Sequence, residues 1–186
     1  MPVFDDSDMK IVPDDPSEVF DTGEGAANAF AREKANGNME KAKCLGQDFA
    51  AEITAGEKGI VWFGCGEYDD ELTIAQRQVM FAYIINKVIE DMAPNSIVAQ
   101  SALSSFYETV QSALPEVYER ITDSAAFSMY ILSDRAAPDD PCAIGRVFAR
   151  LCGHGKEALF ERYGCELAEY FTMYCTQLLL RIHLIR

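Results

Sequence analysis

Apolar residues recur every three or four positions through most of this sequence, and that spacing limits the chain to a helical fold. The clearest stretch is 73–92, where the apolar residues form one stripe of a helix. A second long stretch begins near Lys156 and reaches the C-terminus. Glycines, prolines and capping residues divide the remainder into segments of helical length. We therefore predict an all-α, single-domain bundle of six to eight helices over residues 17–186, with the helix at 73–92 in its centre.

The N-terminal segment does not follow the helical spacing. Residues 1–16 contain three prolines among acidic residues, so we predict an extended or disordered acidic arm there. Residues 1–24 contain eight acids and one base, and this segment therefore carries half of the net charge of −14. Negative charge repels phosphate backbones and anionic lipids, so we expect neither nucleic acid nor membrane among the partners. One hypothesis is that the chain binds or inhibits a basic partner through residues 1–24.

The sequence also bears on the compartment and on the state of the cysteines. It begins without a basic segment followed by an apolar run, and its longest apolar stretch is about half a membrane span. We therefore expect a cytoplasmic protein. None of the six cysteines forms a CxxC pair. In a reducing compartment we expect all six to be thiols that act as small core hydrophobes.

A glycine-rich stretch at 56–71 interrupts the helical pattern, and we predict an ordered loop there. Its carboxylates are potential oxygen ligands for calcium or magnesium. Alternatively, acids just before a helix favour the positive N-terminus of that helix. We favour the second interpretation because the spacing matches no calcium loop and a capping box, Thr73–Gln76, follows. The metal candidates are Glu67, Asp69, Asp70 and Glu71, and the pocket candidates of this loop are Trp62, Cys65 and Tyr68.

Cys152 and His154 lie two residues apart in a glycine turn. Such a pair can supply a nucleophile and its base, or two ligands of zinc. Zinc would need further ligands, and His183 is the only other histidine in the sequence. We therefore interpret Gly153 and Gly155 as residues that allow a tight turn between two helices, and we keep Cys152 and His154 as pocket candidates.

Motifs that carry catalysis or bind cofactors are not found in the sequence. It contains no GxSxG, no phosphate-binding glycine loop of either common type, and no ExxH pair. We therefore predict no catalytic residue and no cofactor, and we favour a protein that is not an enzyme.

The last predicted helix carries more apolar surface than one buried face requires. Either it is buried between neighbouring helices or it meets another subunit. Our leading hypothesis is a non-enzymatic interaction or regulatory protein. Its partner would be a second copy, in a dimer formed through this helix, or another protein. The second hypothesis is a helical protein that binds a small molecule or a divalent metal through residues 62–71. The dimer surface would contain Leu167, Tyr170, Phe171, Tyr174, Leu178 and Ile182.

Four helical stretches of the middle of the chain also resemble a known family. They are TIAQRQVMFAYIIN from Thr73, QSALSSFYE from Gln100, AFSMYIL from Ala126 and IGRVFARLCG from Ile144. The family that they resemble consists of small uncharacterised bacterial all-helical proteins, and the resemblance covers about residues 70–155. It implies a bacterial, cytoplasmic, helical protein. Because that family has no assigned function, the resemblance carries no functional residue to this sequence.

Overall fold

The computed structural model describes residues 22–56, 59–62, 70–122 and 125–185. These residues form eight α-helices and a short 3-10 helix, Ile60–Trp62, and no β-strand occurs among them. The predicted all-α bundle is thus confirmed, whereas the predicted arm at 1–16 lies outside the described residues. The helices are α1 (Thr22–Ala35), α2 (Asn38–Thr54), α3 (Glu71–Met92), α4 (Ser96–Ala113), α5 (Pro115–Thr122), α6 (Ala125–Ala136), α7 (Ala143–Leu151) and α8 (Ala158–Ile182).

Helix α3 occupies the centre of the bundle, as the apolar spacing predicts. Twelve of its 22 residues are buried. Helices α4, α5, α6, α7 and α8 all pack against it, so its middle, residues 77–85, is buried on every side. Phe81, Ile84 and Ile85 are completely inaccessible to solvent. A helix that is apolar on more than one face is stable only when it is buried in this way.

The helix ends follow the capping signals of the sequence, with one correction at α3. Asn95 caps α4 by accepting hydrogen bonds from two backbone N–H groups of the first turn. Gly37 separates α1 from α2 with a positive φ of 82°, which suits glycine. The cap of α3 is Asp70 rather than Thr73, because the Asp70 carboxylate accepts the hydrogen bond from the Thr73 backbone N–H at 2.9 Å. The cap of α3 therefore lies three residues earlier than the capping box predicts.

Two pairs of helices cross so closely that only glycine fits between them. A Cβ atom on Gly46 of α2 would lie 2.3 Å from the carbonyl oxygen of Ala102 in α4. In the same way, a Cβ atom on Gly145 of α7 would lie 2.4 Å from the backbone nitrogen of Cys165 in α8. In both cases the obstacle is backbone, which cannot move aside as a flexible side chain can. These glycines therefore set the distances between the helices.

The close crossing of α7 and α8 also brings two cysteines together. Cys142, at the start of α7, and Cys165, within α8, form a disulfide, with their Cα atoms 4.9 Å apart. This corrects the prediction that all six cysteines are thiols. The pairing joins residues 23 positions apart through a helix crossing, and no local sequence pattern indicates such a crossing. Cys44, Cys152 and Cys175 are free thiols, as predicted. Cys152 and Cys175 are buried as expected of core residues, whereas Cys44 is exposed, which corrects the prediction that it belongs to the core.

Helix α8 is 25 residues long, yet it is not a candidate for a membrane span. In the parts of the chain that the structure describes, no helix combines the length and the apolar character that crossing a membrane requires.

We expect Gly46→Ala to lower the free energy of unfolding by about 1–3 kcal/mol, because the new methyl group forces α2 away from α4. Urea denaturation measures this change. Gly25→Ala is the matched control, since a Cβ atom at Gly25 of α1 has no neighbour within 4 Å. The control should be neutral or more stable by up to about 1 kcal/mol, because alanine favours helix more than glycine does. Equal destabilisation by both variants would show that the crossing is not tight.

We expect a reductant that opens the Cys142–Cys165 disulfide to lower the free energy of unfolding by about 3 kcal/mol. The reason is entropic, because the unfolded chain is no longer held in a closed loop between these two cysteines. Urea denaturation with and without a phosphine reductant measures it. The Cys142→Ser variant should be less stable than the wild type by a similar amount and should no longer respond to the reductant. A variant that still responds fully would place the reducible bond elsewhere.

Candidate functional site

The carboxylate candidates at the start of α3 serve the helix itself. Asp70 accepts hydrogen bonds from the Thr73 hydroxyl, at 2.7 Å, and from the Thr73 backbone N–H. These hydrogen bonds lower the pKa of Asp70. Glu71 is exposed in the first turn, where its charge favours the helix dipole. Both observations support the helix-start interpretation for these two residues.

The other loop candidates are not placed by the structure. Glu67, Asp69, Cys65 and Tyr68 lie outside the described residues, as does the side chain of Trp62. Within the described ranges, no group of three or more His, Cys, Asp and Glu side chains has the arrangement to hold a metal ion. The metal hypothesis for residues 62–71 therefore stays a prediction.

Cys152 is a buried thiol at the end of α7. Burial raises the pKa of Cys152 to about 12, although a hydrogen bond with Thr73 partly opposes that rise. A cysteine with such a pKa is protonated at neutral pH and is a poor nucleophile. The side chain thus behaves as the core hydrophobe that its residue type favours.

His154 takes part in contacts within its own turn. Its ring stacks on Phe160 with the centroids 4.3 Å apart, and its Nδ1 lies 2.8 Å from a carboxylate oxygen of Glu157. Both partners follow it closely in the chain and belong to the start of α8. Because Cys152 holds its proton, the structure does not support a nucleophile–base pair at Cys152 and His154.

The structure also buries an arginine that the sequence analysis did not single out. Arg77 of α3 is completely inaccessible to solvent, one helical turn after the buried Thr73. Its guanidinium carbon lies 5.5 Å from the centre of the Tyr163 ring of α8. The signal was present in the sequence, since Arg77 lies inside the apolar stripe of the central helix. Together, Thr73, Arg77, Cys152 and Tyr163 form a polar layer where α3, α7 and α8 meet.

A second buried charge, Glu33, closes the end of the bundle near the C-terminus. Its carboxylate accepts hydrogen bonds from the side chains of Asn36, Asn38 and Asn95 and is also paired with Arg32. These hydrogen bonds, chiefly those from Asn36 and Asn38, lower the pKa of Glu33 to about 2. A shifted pKa can mark a functional site. Here each oxygen already has partners, so the carboxylate holds helices together.

Asn38 links this cluster to the C-terminal residues. Its amide donates to the carbonyl oxygen of Ile185 at 2.7 Å and accepts from the Ile185 backbone N–H at 2.8 Å. Lys41 donates to the His183 carbonyl oxygen in the same region. Asn38 is the first residue of α2, and its side chain binds this distant segment rather than the N-terminus of its own helix.

Helix α8 divides into a buried face and an outer face. Leu167 and Phe171 belong to the core, and Tyr170, Tyr174, Leu178 and Ile182 are partly covered by the chain itself. Burial makes Leu167 and Phe171 inaccessible to a partner, which corrects that part of the predicted dimer surface. The outer face instead exposes Met173 by 50%, Leu180 by 56% and Leu159 by 76%.

Helices α3, α4 and α5 enclose an open cleft of about 440 Å³. Two half-buried tyrosines, Tyr107 and Tyr118, form part of its wall, and their rings meet edge to face at 6.4 Å. The Tyr107 hydroxyl accepts a hydrogen bond from the Asn86 amide at 2.7 Å. None of the sequence candidates lies in this cleft, because its residues come from three helices and form no local motif.

No family model, no curated protein and no solved structure matches this chain. The resemblance of residues 70–155 to small bacterial helical proteins thus gains no support from these comparisons. It stays a prediction, as does the bacterial origin that it implies.

We expect the Glu33 cluster to make stability depend on pH. The pKa of Glu33 in the folded chain lies below its ordinary value of 4.5. The charged carboxylate therefore stabilises the fold fully above pH 4.5, and this stabilisation is lost as the pH falls through about 2. Glu33→Gln should be less stable than the wild type at neutral pH, and the difference should shrink in acid. Urea midpoints measured from neutral pH down to about 2 test this.

Glu40→Gln is the matched control for this experiment. Glu40 is an exposed glutamate of α2, paired only loosely with Lys43 at 3.3 Å, so its loss should change the urea midpoint little at any pH. The urea midpoints of the wild type and of Glu33→Gln could instead differ by the same amount at every pH down to acid. That result would show that folding does not stabilise the charged form of the Glu33 carboxylate.

Proposed function

We propose that this chain is a non-enzymatic helical interaction protein that pairs with a second copy through the outer face of α8. The observation that carries the proposal is the apolar exposure of Met173 and Leu180 on a helix whose opposite side is already buried. The roles of two candidate site residues also support a non-enzymatic protein. Cys152 keeps its proton and is a poor nucleophile, and Asp70 caps a helix.

The outer face has the spacing of a helix-pairing seam. Its residues follow one another by three and four positions, so they form one straight stripe along the helix. Six of them are exposed, and Thr176 is half-buried. We call this stripe the α8 seam, and it consists of Leu159, Arg162, Glu166, Glu169, Met173, Thr176 and Leu180.

The charges of α8 favour an antiparallel partner. In its first half, residues 158–169, α8 contains three glutamates and one arginine, whereas Arg181 is the one charged residue of its second half. A parallel pair would place the glutamate-rich first halves of the two helices side by side, where their negative charges repel. An antiparallel pair around Met173 places Arg181 of one copy beside Glu166 of the other, and the two helix dipoles also oppose each other favourably. This complementarity points to a second copy of the chain as the occupant.

The size of the α8 seam favours a weak and reversible dimer. A helix of 25 residues is about 38 Å long and about 10 Å wide. That strip is smaller than the roughly 800 Å² that each partner buries in a standard stable interface. We therefore expect monomers and dimers to exchange at micromolar concentrations.

The other hypotheses from the sequence rest on residues that the structure does not describe. Binding of a basic partner through residues 1–24 depends mainly on the segment 1–21, and binding by the 62–71 loop depends on residues 63–69. Both stay predictions, and so does the cytoplasmic location.

We expect sedimentation equilibrium to show a mass that rises with concentration toward twice that of one chain. Introducing Met173→Glu together with Leu180→Glu should weaken dimerisation at least tenfold, because the two new carboxylates at position 173 meet at the two-fold axis and each new carboxylate at position 180 faces Glu166 of the other copy. Leu132→Glu is the control, since Leu132 of α6 is 66% exposed but lies off the α8 seam. The control should dimerise like the wild type.

A charge exchange tests the antiparallel arrangement directly. Arg181→Glu and Glu166→Arg should each weaken the dimer, and the double variant should restore it, because the pair is re-formed across the interface. A wild-type chain that is monomeric at the highest soluble concentration contradicts the proposal. So does a control variant that weakens dimerisation as much as the α8 variants.

A further inference from the structure

We propose that the cleft between α3, α4 and α5 binds a small organic cation, with the chemistry of an alkyl diamine. The proposal is independent of the α8 seam, because no residue of α8 lines the cleft. Its volume of about 440 Å³ lies within the range of small-molecule sites. The residues that carry the argument are Asn86, Glu90, Tyr107, Glu108, Gln111 and Tyr118.

The aromatic wall of the cleft is held rigid. The Asn86 amide donates to the Tyr107 hydroxyl at 2.7 Å and to the Ala82 carbonyl oxygen at 2.8 Å, so the hydroxyl is tied to the backbone of α3. On its other side, the Tyr107 ring meets Phe106 edge to face at 5.0 Å. Tyr118 completes the wall from α5. Rings fixed before binding lose little conformational entropy when a ligand arrives.

The charge of the lining is negative. Glu90 of α3 and Glu108 of α4 line the cleft, and neither forms an ion pair with any residue in the described ranges. No lysine or arginine is among the described residues that line it. Burial raises the pKa of Tyr107, and the carboxylate of Glu90 raises it further, so the charge of Glu90 acts at the aromatic wall.

These features together select the class of ligand. An anion would meet two carboxylates. The lining carries only these two carboxylates, and no group of three or more His, Cys, Asp and Glu side chains in the described residues is arranged to hold a metal ion. An organic ammonium group gains from the faces of tyrosine rings and from nearby carboxylates at once. Its alkyl chain would contact the apolar surface of the rings and of Leu103, which also lines the cleft. A diamine matches the two carboxylates with its two charges.

Isothermal titration calorimetry at low ionic strength tests the proposal on the full chain. We expect 1,4-diaminobutane to bind with a stoichiometry of one, whereas its uncharged analogue 1,4-butanediol should give no binding. Glu90→Gln should weaken the binding of the diamine at least tenfold, because it removes the charge without changing the shape of the side chain. Tyr118→Leu should weaken it as well, through the loss of the ring.

The net charge of −14 attracts any cation, so a control for general attraction is essential. Glu119→Gln removes the same charge from an exposed site on α5 that does not line the cleft, and it should leave the dissociation constant within twofold. Circular dichroism melts establish that each variant is folded. Equal weakening by Glu119→Gln, binding of the diol as tight as that of the diamine, or no binding of the diamine would each overturn the proposal.

Discussion

The burial of the middle of α3 on every side is the constraint on which the rest of this structure depends. Each buried isoleucine or phenylalanine stabilises the fold by about 1.5–3 kcal/mol, and α3 buries every residue from 77 to 85, so its middle presents buried side chains in all directions. No single neighbour can cover them, so five helices surround it. Those helices must also pack against one another, and Gly145 allows two of them, α7 and α8, to cross closely, while Gly46 lets α2 cross closely over α4. The bundle is thus built from its centre outward.

A helix that is buried on every side also buries its polar residues, and these fix how its neighbours are rotated. Gln78 of α3 accepts a hydrogen bond from Arg120 of α5, and Arg77 lies against the Tyr163 ring of α8. Buried polar groups without partners are costly, so each contact favours one arrangement of the covering helix over the alternatives. Apolar packing alone would distinguish these arrangements less sharply.

The helices could be predicted from the sequence because helical spacing and capping residues are local signals. The spacing at 73–92 and the cap at Asn95 both depend on residues a few positions apart. What the sequence did not predict is consistently long-range. Asn38 binds Ile185, and Cys142 binds Cys165, through contacts that exist only after the helices have packed.

For the candidate sites too, local patterns in the sequence were less informative than long-range contacts, and the reason is chemical. Asp, Asn, His and Cys are the residues of catalytic and metal sites, but they are also the residues that close helix ends and fill small spaces. Asp70 and Asn95 cap helices, and Cys152 fills part of the core. A local motif cannot separate these uses, since the difference lies in burial and in partners from other helices. The cleft beside Tyr107 went unnoticed because its lining is spread over three helices.

The two faces of α8 explain why we expect its self-association to be reversible. Leu167, Phe171, Cys175 and Leu179 complete the core of one chain, so folding does not require a partner. An obligate dimer would expose this core on dissociation, whereas here only the α8 seam becomes exposed. That seam mixes apolar residues such as Met173 with charged ones that water solvates well. We therefore expect the monomer to remain folded. We also expect the proposed pairing to respond to concentration and to salt, because ions screen the charges that favour an antiparallel partner.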